Sequence, residues 1–156
     1  YLFPNAQVMV FSRNISEREY ALQLGATWAG AIEESAPVKL NCIIDTTPAW
    51  KPIVEGLRNL APGGRLVINA IRKENGDIDQ LLKIDYPQYL WMEKEIKSVA
   101  NVSRQDIREF LDIAVQASIR PEYQEYDLEH ANQALFELKT GKIHGAKVLR
   151  IGESSN

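Results

Sequence analysis

Two patterns of hydrophobic positions alternate along the chain. Residues 7–12, 40–45 and 65–71 are short, mostly apolar runs rich in Val and Ile. Such runs lack the strict inside–outside alternation of a half-exposed strand, so they predict strands covered on both faces. Between and after them, apolar residues recur at helical spacing. Ile53, Val54, Leu57 and Leu60 form one such stripe. Ile107, Phe110, Leu111, Ala114 and Val115 form a second, and Leu128, Ala131, Ala134, Leu135 and Leu138 a third. Each predicts a helix with one inward face.

The punctuation fits these elements. Ser16-Glu17-Arg18-Glu19 has the form of a capping box opening a helix that stops at Gly25. Pro62-Gly63-Gly64 is expected to end the next helix and turn the chain. Ser103 and Asp127 are expected caps, and Gly141 an expected stop. Weaker strands are predicted at 27–32, 95–99 and 147–151, with an irregular stretch at 73–89 and a frayed end at 153–156. Strand–helix–strand alternation of this kind predicts an α/β fold with a parallel sheet and right-handed crossovers.

Composition narrows the function. With 156 residues the chain suits one domain. Its net charge of −3 offers nothing to nucleic acid or an anionic membrane. The single cysteine, Cys42, excludes an intrachain disulfide and points to a reducing, cytoplasmic setting, with Cys42 itself read as a core residue. No apolar run approaches the roughly 18 residues of a membrane span, and no signal peptide is visible at the start. The opening Tyr1-Leu2-Phe3-Pro4 reads as the tail of an earlier element. Trp28, Trp50 and Trp91 are expected to pack in the core. His130 and His144 stand in polar contexts and receive no role.

The order of motifs carries more. Leu24-Gly25-Ala26 is followed by Ile44-Asp45 at a strand end, then by Leu60-Ala61-Pro62-Gly63-Gly64-Arg65-Leu66-Val67-Ile68. Lys94-Glu95-Ile96-Lys97-Ser98 comes next, then the run from Asn132 to Lys142, and finally Gly145-Ala146-Lys147-Val148-Leu149-Arg150-Ile151. This series resembles the C-terminal part of the medium-chain dehydrogenase/reductase family, especially its zinc-dependent alcohol dehydrogenases. The resemblance spans nearly the whole chain. It implies a Rossmann-like, doubly wound parallel sheet that is incomplete, because the family's first strand and Gly-rich turn fall upstream of Tyr1. Residues 1–143 would form the partial nucleotide-binding domain, and 144–156 a strand and tail returning to a catalytic domain. That other domain would hold the zinc. Cys42, His130 and His144 lack metal-site spacing, so no catalytic or metal residue is assigned here.

Cofactor contacts follow from the same frame. At the end of the second strand of such folds an acidic residue bonds the 2′-hydroxyl of NAD. Here Ser12-Arg13 stands there; a serine can bond a 2′-phosphate and an arginine can grip it, which favours NADP over NAD. The resemblance puts Thr46 and Thr47 beside the adenosine ribose. It puts Asn69, Ala70 and Ile71 near the nicotinamide ribose, and the backbone of Val99, Ala100 and Asn101 near the carboxamide. Local readings compete at several of these positions: Thr47 could cap a helix starting near Ala49, Asn69 could bond sheet backbone, and Asn101 could form a turn.

The implied parent moves a hydride between an alcohol or aldehyde and NAD(P), and the chain alone would be inactive. A zinc-free NADPH-dependent quinone or enone reductase of the same family is an alternative, and a non-catalytic binding module is another. A homodimer or higher oligomer, paired through residues 68–89, is the expected assembly.

Overall fold

A computed structural model describes residues 3–141 and 145–152. The contacts divide the chain into two units at Val102/Ser103. The domain boundary expected at 143/144 falls on residues outside the described ones.

The first unit runs β1 (Met9–Phe11), α1 (Ile15–Gln23), β2 (Trp28–Gly30), β3 (Leu40–Asp45), α2 (Lys51–Asn59), β4 (Leu60–Ile68), α3 (Tyr86–Tyr89) and β5 (Glu95–Ser98), with a 3-10 segment at Ile78–Lys83. β1 pairs with β2, and β3, β4 and β5 form a second sheet in that order. All of these pairings are parallel. The fold is thus α/β and Rossmann-like, as the alternation predicts.

Why α2 anchors this unit is visible in its sequence. Ile53, Val54 and Leu57 share one face and all are buried, with Leu57 wholly enclosed. Ile53 and Leu57 meet Leu60 and Leu66, with Ile43, Trp50 and Ile68 packed around the cluster. Burying each such side chain contributes about 1.5–3 kcal/mol. Gly56 lets the helix approach: a Cβ there would lie 3.0 Å from Leu66 Cδ1. Asn59 is buried on the same helix and is satisfied, accepting from Ala36 N at 2.8 Å and donating to Glu55 O at 3.1 Å.

Three expectations are corrected here. α2 stops at Asn59, but Pro62-Gly63-Gly64 does not interrupt the chain between helix and strand; it lies inside β4 as an irregularity. The register jumps from Leu40↔Leu60 to Cys42↔Arg65, so the extra residues loop out while pairing resumes. Gly63 takes φ +66° and its N–H donates to Met92 O at 2.8 Å. Second, β4 ends at Ile68, so residues 69–71 lie beyond the strand. Third, Cys42 is exposed rather than buried. α2 packs on the Ile43 side of β3, while Cys42 and Ile44 point the other way, and Ile44 is 67% exposed. The expected cover on both faces is therefore not realised at β3.

Helix α1 is also capped two residues earlier than predicted. Asn14 accepts from Ser16 N at 2.9 Å, in place of a box built on Ser16. Of the tryptophans, Trp50 packs against the core, Trp28 sits edge-on to Phe11, and Trp91 is exposed.

The second unit contains α4 (Arg104–Gln116), β6 (Tyr123–Asp127), α5 (Ala131–Thr140) and β7 (Ala146–Arg150). Ser103 opens α4 with a complete capping box: its hydroxyl accepts from Asp106 N, and Asp106 accepts from Ser103 N. The apolar stripe of α4 is exposed at Ile107, Phe110, Leu111 and Val115. Asp127 makes no side-chain cap; it ends a strand that the sequence pattern did not reveal, and a 3-10 turn at Leu128–His130 leads into α5. Gly141 closes α5 in the left-handed conformation, as predicted. Tyr126 and Ala134 are buried, while Leu128, Leu135 and Leu138 stay exposed. The tail at 153–156 and His144 lie outside the described residues. No helix among the described residues is long and apolar enough to cross a membrane.

Candidate nucleotide-binding site

Parallel register assembles one row of strand ends. Asp45 faces Ile68, and Ile68 faces Ser98, so β3, β4 and β5 finish side by side. Two further bonds carry the ladder one residue on: Asn69 N donates to Asp45 O at 2.7 Å, and Val99 N to Ile68 O at 3.1 Å. Thr46, Asn69 and Val99 therefore sit just past the carboxyl edge, where ligands bind in open α/β sheets. All three are exposed.

A buried ion pair fixes the loop that follows β3. Lys73 Nζ donates to Asp45 Oδ2 at 2.5 Å, to Thr47 O at 2.8 Å and to Ala49 O at 2.9 Å. The two side chains are 11% and 4% exposed. Asp45 Oδ1 accepts from Thr47 Oγ1 at 2.8 Å. Thr47 thus turns its hydroxyl inward and Thr46 is left facing solvent. Thr47 does not cap α2. That role falls to Asp77, whose carboxylate accepts from Trp50 N at 2.9 Å and Lys51 N at 2.8 Å. Those backbone bonds, Trp50 first, hold the Asp77 carboxyl below its ordinary range.

Ser12 and Arg13 follow β1, in the smaller sheet. Ser12 N donates to Gly30 O at 3.0 Å, and its hydroxyl donates to Glu17 Oε2 at 2.5 Å. Arg13 is exposed. Ala70 is half-buried, and Ile71 projects fully into solvent. Ala100 and Asn101 are exposed, and Asn101 takes φ +64°, a turn conformation. Asn69 uses its backbone, not a buried amide, in the sheet. The structure thus brings Thr46, Thr47, Asn69 and Val99 together in one row, with Ala70, Ile71, Ala100 and Asn101 on the segments leaving it. Ser12 and Arg13 end the neighbouring sheet. Phe11, Asp45, Thr46 and Thr47 line one common cavity.

Sequence reasoning missed Lys73, Asp77 and Glu17. Lys73 and Asp77 lie 28 and 27 residues from Asp45 and Trp50, in a stretch whose polarity read as a simple loop. Glu17 was read only as an inner residue of the Ser16-Glu17-Arg18-Glu19 capping-box pattern. Among the described residues no group of three or more His, Cys, Asp or Glu could hold a metal ion.

A parallel sheet of this topology, with polar residues past its carboxyl edge, is Rossmann-like. Comparison with known proteins agrees. No family model matches the chain. It is 35% identical over 150 residues to a Mycobacterium tuberculosis protein named "Probable alcohol dehydrogenase AdhA", covering 96% of this chain and 42% of that one. A CAD structure from Helicobacter pylori complexed with NADP(H) superposes with TM-score 0.72 at 18% identity, covering 95% of this chain and 42% of the other. Benzyl alcohol dehydrogenase from Acinetobacter calcoaceticus gives 0.69 at 18% identity, covering 94% and 43%. The chain is thus similar to alcohol dehydrogenases, as its resemblance to the medium-chain dehydrogenase/reductase family implies, and spans less than half the length of these relatives.

Proposed function

We propose that the chain is the cofactor-binding portion of an alcohol dehydrogenase that uses NADP(H). The row of strand ends at Thr46, Asn69 and Val99 carries this reading. Its residues fit a dinucleotide. Thr46 presents a free hydroxyl to the adenosine side, Asn69 through Ile71 run along the nicotinamide ribose, and the backbone from Val99 to Asn101 reaches the carboxamide. Arg13 offers its guanidinium to the 2′-phosphate beside Ser12. When bound, the cofactor accepts or donates a hydride at its nicotinamide ring. The residues of this chain bind and orient it; none acts on the alcohol. Zinc does not fit the described residues, so a zinc ion in the parent enzyme would be held by a separate catalytic domain. Absence of turnover by the chain alone belongs to the same reading.

One observation favours NAD instead: the Glu17 carboxylate lies against the Ser12 hydroxyl, where it would repel a phosphate and could accept a 2′-hydroxyl. Amide chemical-shift mapping with millimolar NADPH and NADH decides both points. The site reading expects shifts at Ser12, Arg13, Thr46, Asn69 and Val99. The NADP reading further expects Arg13→Ala to weaken NADPH about tenfold, one charge-assisted bond being worth about 1.5–3 kcal/mol, and to leave NADH unchanged. Shifts scattered away from the row would sink the site; equal effects on both cofactors would sink the NADP preference.

Assembly as a homodimer through 68–89 is part of the proposal. Ile71, Ile78, Leu82 and Tyr86 leave apolar surface exposed along that stretch. Solution mass near that of one chain at micromolar concentration would remove it.

A further inference from the structure

Residues 73–77 clamp the loop between β3 and α2 at two points. Lys73 holds it from one end, donating to Asp45, Thr47 O and Ala49 O. Glu74 N adds a bond to Pro48 O at 2.8 Å. Asp77 holds it from the other end, accepting from Trp50 N and Lys51 N. Between the two anchors stand Asn75 and Gly76, in a turn closed by Ile78 N donating to Asn75 O at 3.3 Å. Both residues are exposed. Neither the Asn75 side chain nor the Gly76 N–H has a hydrogen-bond partner among the described residues. A Cβ at Gly76 would meet nothing within 4 Å. Asn75 is also the one asparagine of the chain that glycine follows. A free side-chain amide thus stands beside a backbone nitrogen that no side chain shields, which leaves the amide carbon open to attack by that nitrogen.

We infer that Asn75 is a modification site: it deamidates spontaneously, and the isoaspartate left behind loosens the clamp. The Gly76 nitrogen bonds to Asn75 Cγ while the Cγ–Nδ2 bond breaks. Nδ2 leaves as ammonia and carries off the proton that Gly76 N gives up. The succinimide ring that remains is opened by water at either of its carbonyls. Opening at Cγ leaves aspartate. Opening at the main-chain carbonyl leaves isoaspartate, whose chain runs through Cβ and Cγ. Nothing is oxidised or reduced, and water is the co-reactant. Asn59 and Asn14 are protected by comparison, since the first is buried and bonded and the second is engaged by Ser16 N. Isoaspartate puts one more carbon into the backbone between Glu74 and Asp77. Both ends are anchored on the same loop, so the added length displaces Asp77 from the first amides of α2, and a helix that loses its cap loses stability. The inference does not depend on the cofactor reading.

The purified chain is aged at mildly alkaline pH beside a free peptide of residues 74–83, in which Asn75 is the one asparagine. Tryptic cleavage after Lys73 and Lys83 releases the same segment from the aged protein. We expect that segment to gain the mass of an acid over an amide and to accept a methyl group from S-adenosylmethionine through an isoaspartyl methyltransferase. The folded chain should react within about tenfold of the peptide's rate, because the turn leaves the reacting atoms free. Gly76→Ala should slow the reaction by about tenfold or more, since its methyl group crowds the attacking nitrogen. That variant should keep the wild-type melting temperature, because Gly76 has no positive φ and its Cβ meets open space. The isoaspartyl form, separated by chromatography, should melt about 3–6 °C lower and shift the amides of Trp50 and Lys51. Asn75→Asp carries the charge without the added carbon and should melt within about 1 °C of the wild type. A folded-state rate more than about a hundredfold below the peptide's overturns the inference, whatever covers the turn, a second copy included. So does unchanged melting of the isoaspartyl form. An equal fall for Asn75→Asp overturns the loosened clamp, since charge alone would then account for it. Gly76→Ala aged in parallel reads all other damage, and a fall equal to that of the aged wild type overturns the assignment to Asn75.

Discussion

Replacing Lys73 with methionine tests the idea that a buried ion pair shapes the candidate site. The side chains of Lys73 and Asp45 are 11% and 4% exposed, so water screens the pair little. Methionine keeps most of the stem volume and removes three donated bonds: one to Asp45 and two to the carbonyls of Thr47 and Ala49. Breaking a buried pair from one side costs about 3–5 kcal/mol, because the remaining charge is stranded. The surviving bond from Thr47 Oγ1 to Asp45 moderates this, so we expect about 3 kcal/mol. With a urea dependence near 2 kcal/mol/M, the midpoint should fall by about 1.5 M. The melting temperature should fall by roughly 6–12 °C. A double-mutant cycle with Asp45→Asn isolates the pair, and the double variant should lose less than the sum of the singles by about 1–3 kcal/mol. A loss under about 1 kcal/mol for Lys73→Met, or a coupling near zero, would refute the claim that this pair holds the loop.

Two other perturbations probe the units, one in each. Leu57→Ala, at the fully enclosed centre of the α2 cluster, should cost about 2–5 kcal/mol by urea unfolding, and a loss under 1 kcal/mol would mean the cluster is not the core it looks like. In the second unit, the Glu137 carboxyl is held at about 2, against an ordinary 4.5, by Lys147 first and then by Tyr126 and Gln133. A carboxyl with a depressed folded value stabilises fully above its ordinary range and loses that contribution as pH falls from about 4.5 towards about 2. Acid unfolding of the wild type should therefore be steeper than that of Glu137→Gln over this window; parallel curves would refute it.

Much of the fold was legible because apolar periodicity records burial. Leu40–Asp45 was located to the residue, and the stripe at Ile53, Val54 and Leu57 was recognised as inward. What failed was information that does not lie in local pattern. β6 reads Tyr-Gln-Glu-Tyr-Asp, and only Tyr126 of it is buried, so no apolar run announced a strand. Pro62-Gly63-Gly64 looked like a stop, yet β3 pairs with β4 at Leu60 and again from Arg65, so the residues between loop out without ending the strand. Cys42 looked like core because its neighbours are apolar, but burial depends on what covers the opposite face, which the strand itself does not encode. At the candidate site the row of strand ends followed from the alternation of elements. Lys73 and Asp77 did not, because their partners lie a full crossover away in sequence.

The capping pattern has a consequence for how this chain can meet a charged ligand. A helix start is a natural cradle for phosphate, since its first amides point outward with no partner. Here those cradles are already filled at three helices. Asn14 serves α1, Asp77 serves α2 from across the unit, and Ser103 with Asp106 serves α4. At α2 the occupant is itself an anion, so an incoming phosphate would have to evict a carboxylate before it could land. A diphosphate bridge laid over this sheet would thus draw its grip from side chains such as Arg13, or from backbone contributed by another segment, and the positive poles of α1, α2 and α4 serve the fold alone.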